Sequence, residues 1–227
     1  MAVSRMLGET KFLVFKGGTA LRMCYFDDYR YSADLDFSIV GDQTRVDALR
    51  MIGRSLELVK EEIGLPALSL VTDEPTKIAY EGPLGKARSI KLDLDETERV
   101  FSSVRRPVVP RYEDVPPSEG LPTYSLVEIT AEKLRCVIQR LQCRDFFDLH
   151  YLLEVERVEL AETWEMFEEK ARHKNIDPAV FFERFDARLP QYEERGAGEM
   201  GEHLAGDLPP FGAMSREPRR RLRPHRA

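Results

Sequence analysis

The stretch FKGGTALRMCYFDDYRYSADLDFSIV, residues 15–40, decides how this chain folds. Just before and into it, KFLVF (11–15) is a short apolar run that reads as a buried strand, stopped by Gly17 and Gly18. TALRMCYF (19–26) then has helical rather than alternating character. ADLDFSIV (33–40) returns to alternation, with Asp34, Asp36 and Ser38 on one face and Leu35, Phe37 and Ile39 on the other. The order is strand, turn, helix, strand. A two-glycine turn into a helix leaves backbone N–H groups where partial positive charge suits a phosphate, and glycine lets a ligand approach the backbone closely. Thr19 adds a hydroxyl. The turn is not a P-loop, because Lys16 precedes the glycines instead of following them. Taken alone, GGT is a weak signal that reads more readily as an ordinary turn.

The DLD that follows changes this. Asp34 and Asp36, two apart on a strand, project the same way, and adjacent carboxylates repel unless a cation sits between them. Mg²⁺ is commonly held by one or two carboxylates, with substrate phosphates completing its shell. Further along, SIKLDLDE (89–96) forms another alternating strand that offers Asp93 and Asp95 on one face. Asp93 is the expected third carboxylate of a two-metal arrangement, with ions roughly 3.5–4 Å apart, and Asp95 is its competitor. For any single aspartate the other reading is a solvated strand face.

Between these strands, Val46, Leu49, Ile52, Leu56, Val59 and Ile63 recur at spacings of three and four, which predicts an amphipathic helix over 44–63 packed on a sheet. Pro75, Gly82, Pro83 and Gly85 mark a loop. RRPVVPRYEDVPPSEGLPT (105–123) holds five prolines and reads as a connection between lobes, with the boundary near residue 115. Residues 1–115 and 116–227 are thus the expected domains. The second is expected to be all helix, opening with Ser125 and Glu128 as a capping box and carrying Asp177 as a later N-cap with Pro178 after it. Within it, AEKLRCVIQRLQCRDFFDLHYLL (131–153) packs Lys133, Arg135, Arg140, Arg144, Asp145 and Asp148 into one helix–turn–helix. Two readings stand side by side here. Arg144 and Asp148 form an i,i+4 surface staple and Lys133 is solvated; or Lys133 and Arg144 serve a triphosphate and Asp148 orients nucleotide or acceptor, in a cleft between the lobes.

The composition, 42% hydrophobic and 33% charged with a formal charge of −6, is that of a globular protein. Cys24, Cys136 and Cys143 have neither metal-ligand spacing nor an even count for disulfides, which points to a reducing, cytoplasmic setting. No apolar run approaches the roughly 18 residues of a membrane span, and MAVSRMLGETK has no signal-peptide core. The last twelve residues, REPRRRLRPHRA, hold six arginines against one glutamate, so the rest of the chain carries about −11. This basic tail reads either as a disordered solvated end or as a polyanion-attracting segment.

FKGGTALRMCY, RYSADLDFS, IKLDLD and EKLRCVIQRLQCRDFFDLHYLL, in that order and spacing, resemble the AbiEii family of nucleotidyltransferase toxins, which includes the MenT-type enzymes. The resemblance runs from about residue 12 to 212 and takes in LAGDLPPF (204–211). It implies an α+β fold: a polymerase-beta-like nucleotidyltransferase lobe with a small mixed sheet, followed by an all-helical C-terminal lobe. It also implies a toxin of a type IV toxin–antitoxin pair that transfers NMP from an NTP, with Mg²⁺, to an acceptor such as the tRNA 3′ end. The usual antitoxin partner is a winged-helix protein encoded beside the toxin. Gly18 and Thr19, beside Gly17, fall on the family's phosphate-binding signature; Asp34 and Asp36 fall on its metal pair, and Lys133 and Asp148 on its later essential lysine and aspartate. Asp93 is a weaker correspondence, because the third carboxylate varies. Tyr31 and Ala33 stand where phenylalanine and glutamate are common, and about eleven residues precede the first strand where relatives carry a helical segment. Two alternatives accompany this expectation: a small-molecule or protein acceptor on the same fold, and a truncated, inactive relative acting as a binding module.

Overall fold

The computed structural model describes residues 11–73, 76–82, 84–109, 120–204 and 206–226. The loop markers Pro75 and Pro83 and the expected boundary near 115 lie outside these residues. The chain is α+β and divides into two compact units, Met1–Tyr124 and Ser125–Ala227.

In the first unit, strands β1 (Leu13–Lys16), β2 (Leu35–Ile39), β3 (Ala67–Val71), β4 (Lys77–Glu81), β5 (Ala87–Asp95), β6 (Ser103–Arg106) and β7 (Leu121–Tyr124) form one mixed sheet in the order β3-β4-β5-β2-β1-β7-β6. β1 lies antiparallel to β2, while β2 and β5 run parallel. The long β5 pairs with β4 through its first half and with β2 through its second. Alternation sorts the two faces. Leu13 and Phe15 of β1, Leu35, Phe37 and Ile39 of β2, and Leu92 and Leu94 of β5 all join one apolar cluster, with Phe15 stacked on Phe37 at 5.0 Å between ring centres. Each such side chain contributes about 1.5–3 kcal/mol by leaving water. Lys16, Asp36, Ser38, Asp93 and Asp95 share the other face, as the period of two requires.

Helix α1 (Gly17–Ala20) runs on as a π-helical turn over Leu21–Tyr25, and its end is tied down where the Tyr25 hydroxyl donates to the Tyr124 carbonyl at 2.6 Å. Helix α2 (Arg45–Ile63) starts at a full capping box between Thr44 and Asp47 and ends at Gly64, whose φ of 64° is the left-handed region glycine tolerates. Its stripe is narrower than the spacing predicts. Ala48, Ile52, Ser55, Leu56 and Val59 are buried, whereas Val46 and Ile63 at the two ends are exposed, because the helix outruns the sheet it covers.

The second unit is all helix: α3 (Leu126–Gln139), α4 (Cys143–His150, continued as a π-helical turn over Tyr151–Val155), α5 (Leu160–His173), α6 (Phe181–Met200) and α7 (Phe211–Leu222), with short 3₁₀ turns at Pro178–Val180 and Arg223–His225. Residues 128–138 of α3 are all buried, so its charged side chains need internal partners. Glu128 illustrates this. The Ser125 side chain accepts from the Glu128 N–H as the capping box predicts, but the Glu128 carboxylate is fully buried and pairs with Lys170 of α5 at 2.8 Å. Asp177 caps the 3₁₀ turn that begins at Pro178. The basic terminal segment is not a disordered end, since its residues through Leu222 form most of α7, seated on its own unit through buried Met214, Ser215, Pro218 and Leu222.

Candidate active site

The first-unit site is built where β1 ends. Gly17 has a φ of 77°, and a Cβ placed on it would lie 2.6 Å from Oδ2 of Asp36. The turn therefore needs glycine twice, for its backbone angle and for the closeness of this carboxylate. Asp36 is opposite Lys16 in the β1–β2 register and opposite Asp93 in the parallel β2–β5 register. Asp34 stands two residues earlier, just before β2 begins, and both it and Asp36 are half-buried.

Register and bonding distinguish Asp93 from Asp95. Asp95 is half-buried, forms an ion pair with Lys16 at 3.6 Å and accepts from the Thr97 N–H and hydroxyl, both at 2.8 Å. Its neighbour on β2 is Ser38, which is buried and bonded to the Tyr124 hydroxyl. Asp93 is exposed, and among the described residues it makes no hydrogen bond or ion pair. Asp93 is thus the carboxylate of β5 that lies in line with Asp36 and stays available.

Among the described residues, no three His, Cys, Asp or Glu side chains are gathered into a ready-made metal cage. The two-carboxylate row beside the glycine turn fits an ion of the Mg²⁺ kind, which takes much of its shell from phosphate oxygens and water; it does not fit an ion that needs a full set of protein ligands. The three converging carboxylates expected from the strand patterns are, in the fold, a register pair with Asp34 further along the same strand direction.

Two residues that sequence reasoning passed over sit on the turn. Arg30 is buried, donates to the Tyr31 carbonyl at 3.2 Å, and lies so close to Gly18 that a Cβ there would collide with its Nη2. Ser32 shares a 2.8 Å hydrogen bond with the buried Thr19 hydroxyl, so the Thr19 donor expected on a phosphate is already part of a hydroxyl pair. RYS, immediately before the aspartates, was the available signal: a cation and a hydroxyl leading into a carboxylate strand.

In the second unit, Lys133 is buried and its Nζ lies 2.7 Å from both Asp145 and Asp148. Arg140 donates through Nε to Asp145 at 2.8 Å. Burial pushes the Asp145 carboxyl up, but Lys133 and then Arg140 outweigh it and hold the group below the usual carboxylate range. Lys133 is therefore a locked member of an ionic cluster, which excludes the solvated reading. Arg144 donates through Nε to Gln142 at 3.0 Å.

Residues 4–221 match the family described as nucleotidyl transferase AbiEii toxin, type IV TA system. No curated protein matches the chain in sequence. Among solved structures the chain is similar to MenT4, a nucleotidyltransferase toxin from Mycobacterium tuberculosis H37Rv, with 17% identity, a TM-score of 0.62, and 97% of this chain and 79% of that one covered. It is also similar to an H. pylori protein assigned as a nucleotidyltransferase, with 20% identity, a TM-score of 0.54, and 99% and 93% covered. At these identities the likeness is one of fold.

Proposed function

The chain belongs to the AbiEii family of nucleotidyltransferase toxins, and from that premise we propose that it moves a nucleoside monophosphate from an NTP to the 3′ end of a tRNA in the cytoplasm, using Mg²⁺ held by Asp34, Asp36 and Asp93. The observation that carries this reading is the Asp36–Asp93 register pair, set against a glycine turn whose backbone lies within contact distance of the Asp36 carboxylate.

Asp34, Asp36 and Asp93 would hold the Mg²⁺, whose positive charge would supply neutralisation of the transferring phosphates. The remaining work belongs to the side chains. Gly17 and Gly18 let phosphates approach the backbone, and the Thr19–Ser32 hydroxyl pair donates toward them. Asp93, exposed and without a partner among the described residues, takes the proton of the acceptor hydroxyl as its oxygen bonds to the α-phosphorus and pyrophosphate leaves. In the second unit, Lys133, held in place by Asp145 and Asp148, and Arg144 are the charges this reading assigns to a triphosphate, and Asp148 is the group it assigns to orienting nucleotide or acceptor. The antitoxin that type IV membership implies is, in this reading, a winged-helix protein encoded beside the toxin.

The test is transfer of label from each α-³²P NTP in turn into tRNA, with aminoglycosides and a protein extract offered separately as rival acceptors. Asp36→Asn is expected to abolish labelling while leaving the melting curve and circular dichroism unchanged. Label still entering tRNA with that variant sinks the metal assignment, and label entering only a rival acceptor sinks the tRNA assignment.

A further inference from the structure

Of the five arginines on α7 and at its C-cap, four, Arg216, Arg219, Arg220 and the C-cap Arg223, fall at spacings of three, one and three, which is one face of a helix. All four are exposed. The opposite stripe, Met214, Ser215, Pro218 and Leu222, is buried. The segment is fixed in place: the Arg221 guanidinium donates to the Leu153 and Val158 carbonyls at 2.6 and 2.8 Å, His225 stacks on Trp164 at 4.7 Å, and Arg226 pairs with Asp186 at 2.7 Å. The exposed arginines are therefore presented on a rigid element.

At four places elsewhere on the surface a helix cation pairs with an acid three residues or one turn away. Arg50 pairs with Asp47 and Lys60 with Glu57 on α2, Arg172 with Glu168 on α5, and Arg195 with Glu199 on α6. On α7 the cations outnumber such partners. Its one acid, Glu217, is bonded by Arg220 and lies in the field of Arg220, Arg221 and Arg157, while Arg216, Arg219 and Arg223 have no hydrogen bond or ion pair among the described residues. Arg216–Arg220 and Arg219–Arg223 are like-charge i,i+4 pairs, each of which opposes the helix. The helix dipole favours cations in the last turn and at the C-cap, which accounts for Arg219, Arg220 and Arg223 but not for Arg216 in the middle of the helix. A self-repelling stripe on a chain of net charge −6 points to an anionic partner.

The stripe also says which kind. Protein interfaces are centred on apolar or aromatic anchors with charge at the rim, and no large exposed hydrophobic residue of the described chain lies on α7. A line of guanidinium groups without such an anchor suits a phosphate backbone, where charge alone positions the ligand.

We propose that the Arg216, Arg219, Arg220 and Arg223 face of α7 is a docking surface for the phosphate backbone of RNA. For its role in the reaction this rests on the proposed RNA acceptor, but binding is measurable without turnover. Fluorescence anisotropy of labelled tRNA with the full chain is read across a series of KCl concentrations, for wild type and for the triple variant Arg216→Gln/Arg219→Gln/Arg223→Gln, with circular dichroism as the folding control. Loss of three phosphate contacts lowers the slope of log K against log salt by about 2–3 and weakens binding about a hundredfold or more near 0.1 M salt. The triple Arg→Lys variant is expected to keep most of the slope. An unchanged slope in the folded Gln variant overturns the proposal. So does a variant that holds tRNA normally but loses binding to a polyglutamate probe, since the surface would then be a dock for acidic protein. Should the slope fall as expected while wild type labels only a rival acceptor, the docking surface stands and the tRNA-transfer reading falls.

Discussion

Replacing Gly17 by alanine separates two demands that meet at one atom. An alanine at a φ of 77° is disfavoured by about 1–2 kcal/mol. Its Cβ would also lie 2.6 Å from Oδ2 of Asp36, closer than real contacts allow. That oxygen is the tip of a rotatable side chain, so the overlap is relieved by turning Asp36 away at about 0.5–1.5 kcal/mol. The lower entropy of the unfolded alanine chain offsets about 0.4–1 kcal/mol of the total. The net expectation is a loss of about 1–2 kcal/mol, or roughly 5 °C in the melting temperature of a unit this size. The effect on transfer should be far larger, at least about tenfold, because the displaced carboxylate is the one the proposed metal site uses. A double-mutant cycle with Asp36→Ala isolates the contact: without the carboxylate, only the backbone cost should remain, leaving a coupling of about 0.5–1.5 kcal/mol in urea unfolding. Equal destabilisation in both backgrounds, together with an unchanged transfer rate for the single variant, would refute the reasoning.

Two further outcomes follow from buried side chains. Lys133→Met strands Asp145 and Asp148 without their shared cation and should destabilise by about 3–5 kcal/mol in urea unfolding at pH 7. The pH dependence should also weaken. In wild type the Asp145 carboxyl is held below its unfolded value, so its stabilisation is present above about pH 4 and is lost as pH falls through the folded value. In the variant only Arg140 opposes burial at Asp145, so less of this stabilisation remains to be lost and the deficit against wild type should shrink as pH falls below about 4; a deficit that does not vary with pH would contradict this. Burial pushes the thiols of Cys24 and Cys136 up to about 11 and that of Cys143 up to about 12, so alkylation at pH 8 should proceed no faster than unfolding, and rapid modification of the native chain, read by mass spectrometry, would be inconsistent with the structure.

Much of the fold was legible locally. The period of two in β2 and β5 assigns Leu35, Phe37, Leu92 and Leu94 to the core and their alternate neighbours to the other face, and the three-and-four spacing marks α2. Strands β3, β4, β6 and β7 were not legible, because they are four or five residues long, lie among glycines, prolines and charges, and are strands chiefly through their neighbours. The stripe of α2 was overread at its ends for a related reason: spacing gives direction around a helix but not where the covering sheet stops. The terminal arginines were read as a tail because a basic run has no apolar period strong enough to announce a helix, and α7 is held by Arg221 reaching carbonyls more than sixty residues away.

The sequence by itself determined the glycine turn, the paired aspartates that follow it and the side of each strand on which charge falls, since all of these depend on backbone geometry within a few residues. Only the tertiary structure decided that Asp93 and not Asp95 stands beside Asp36, that Arg30 and Ser32 close on Gly18 and Thr19, and that Lys133 is held between two carboxylates. A strand's own period tells which face a residue takes, but which residue of a distant strand lies opposite is set by the register in which two remote segments pair.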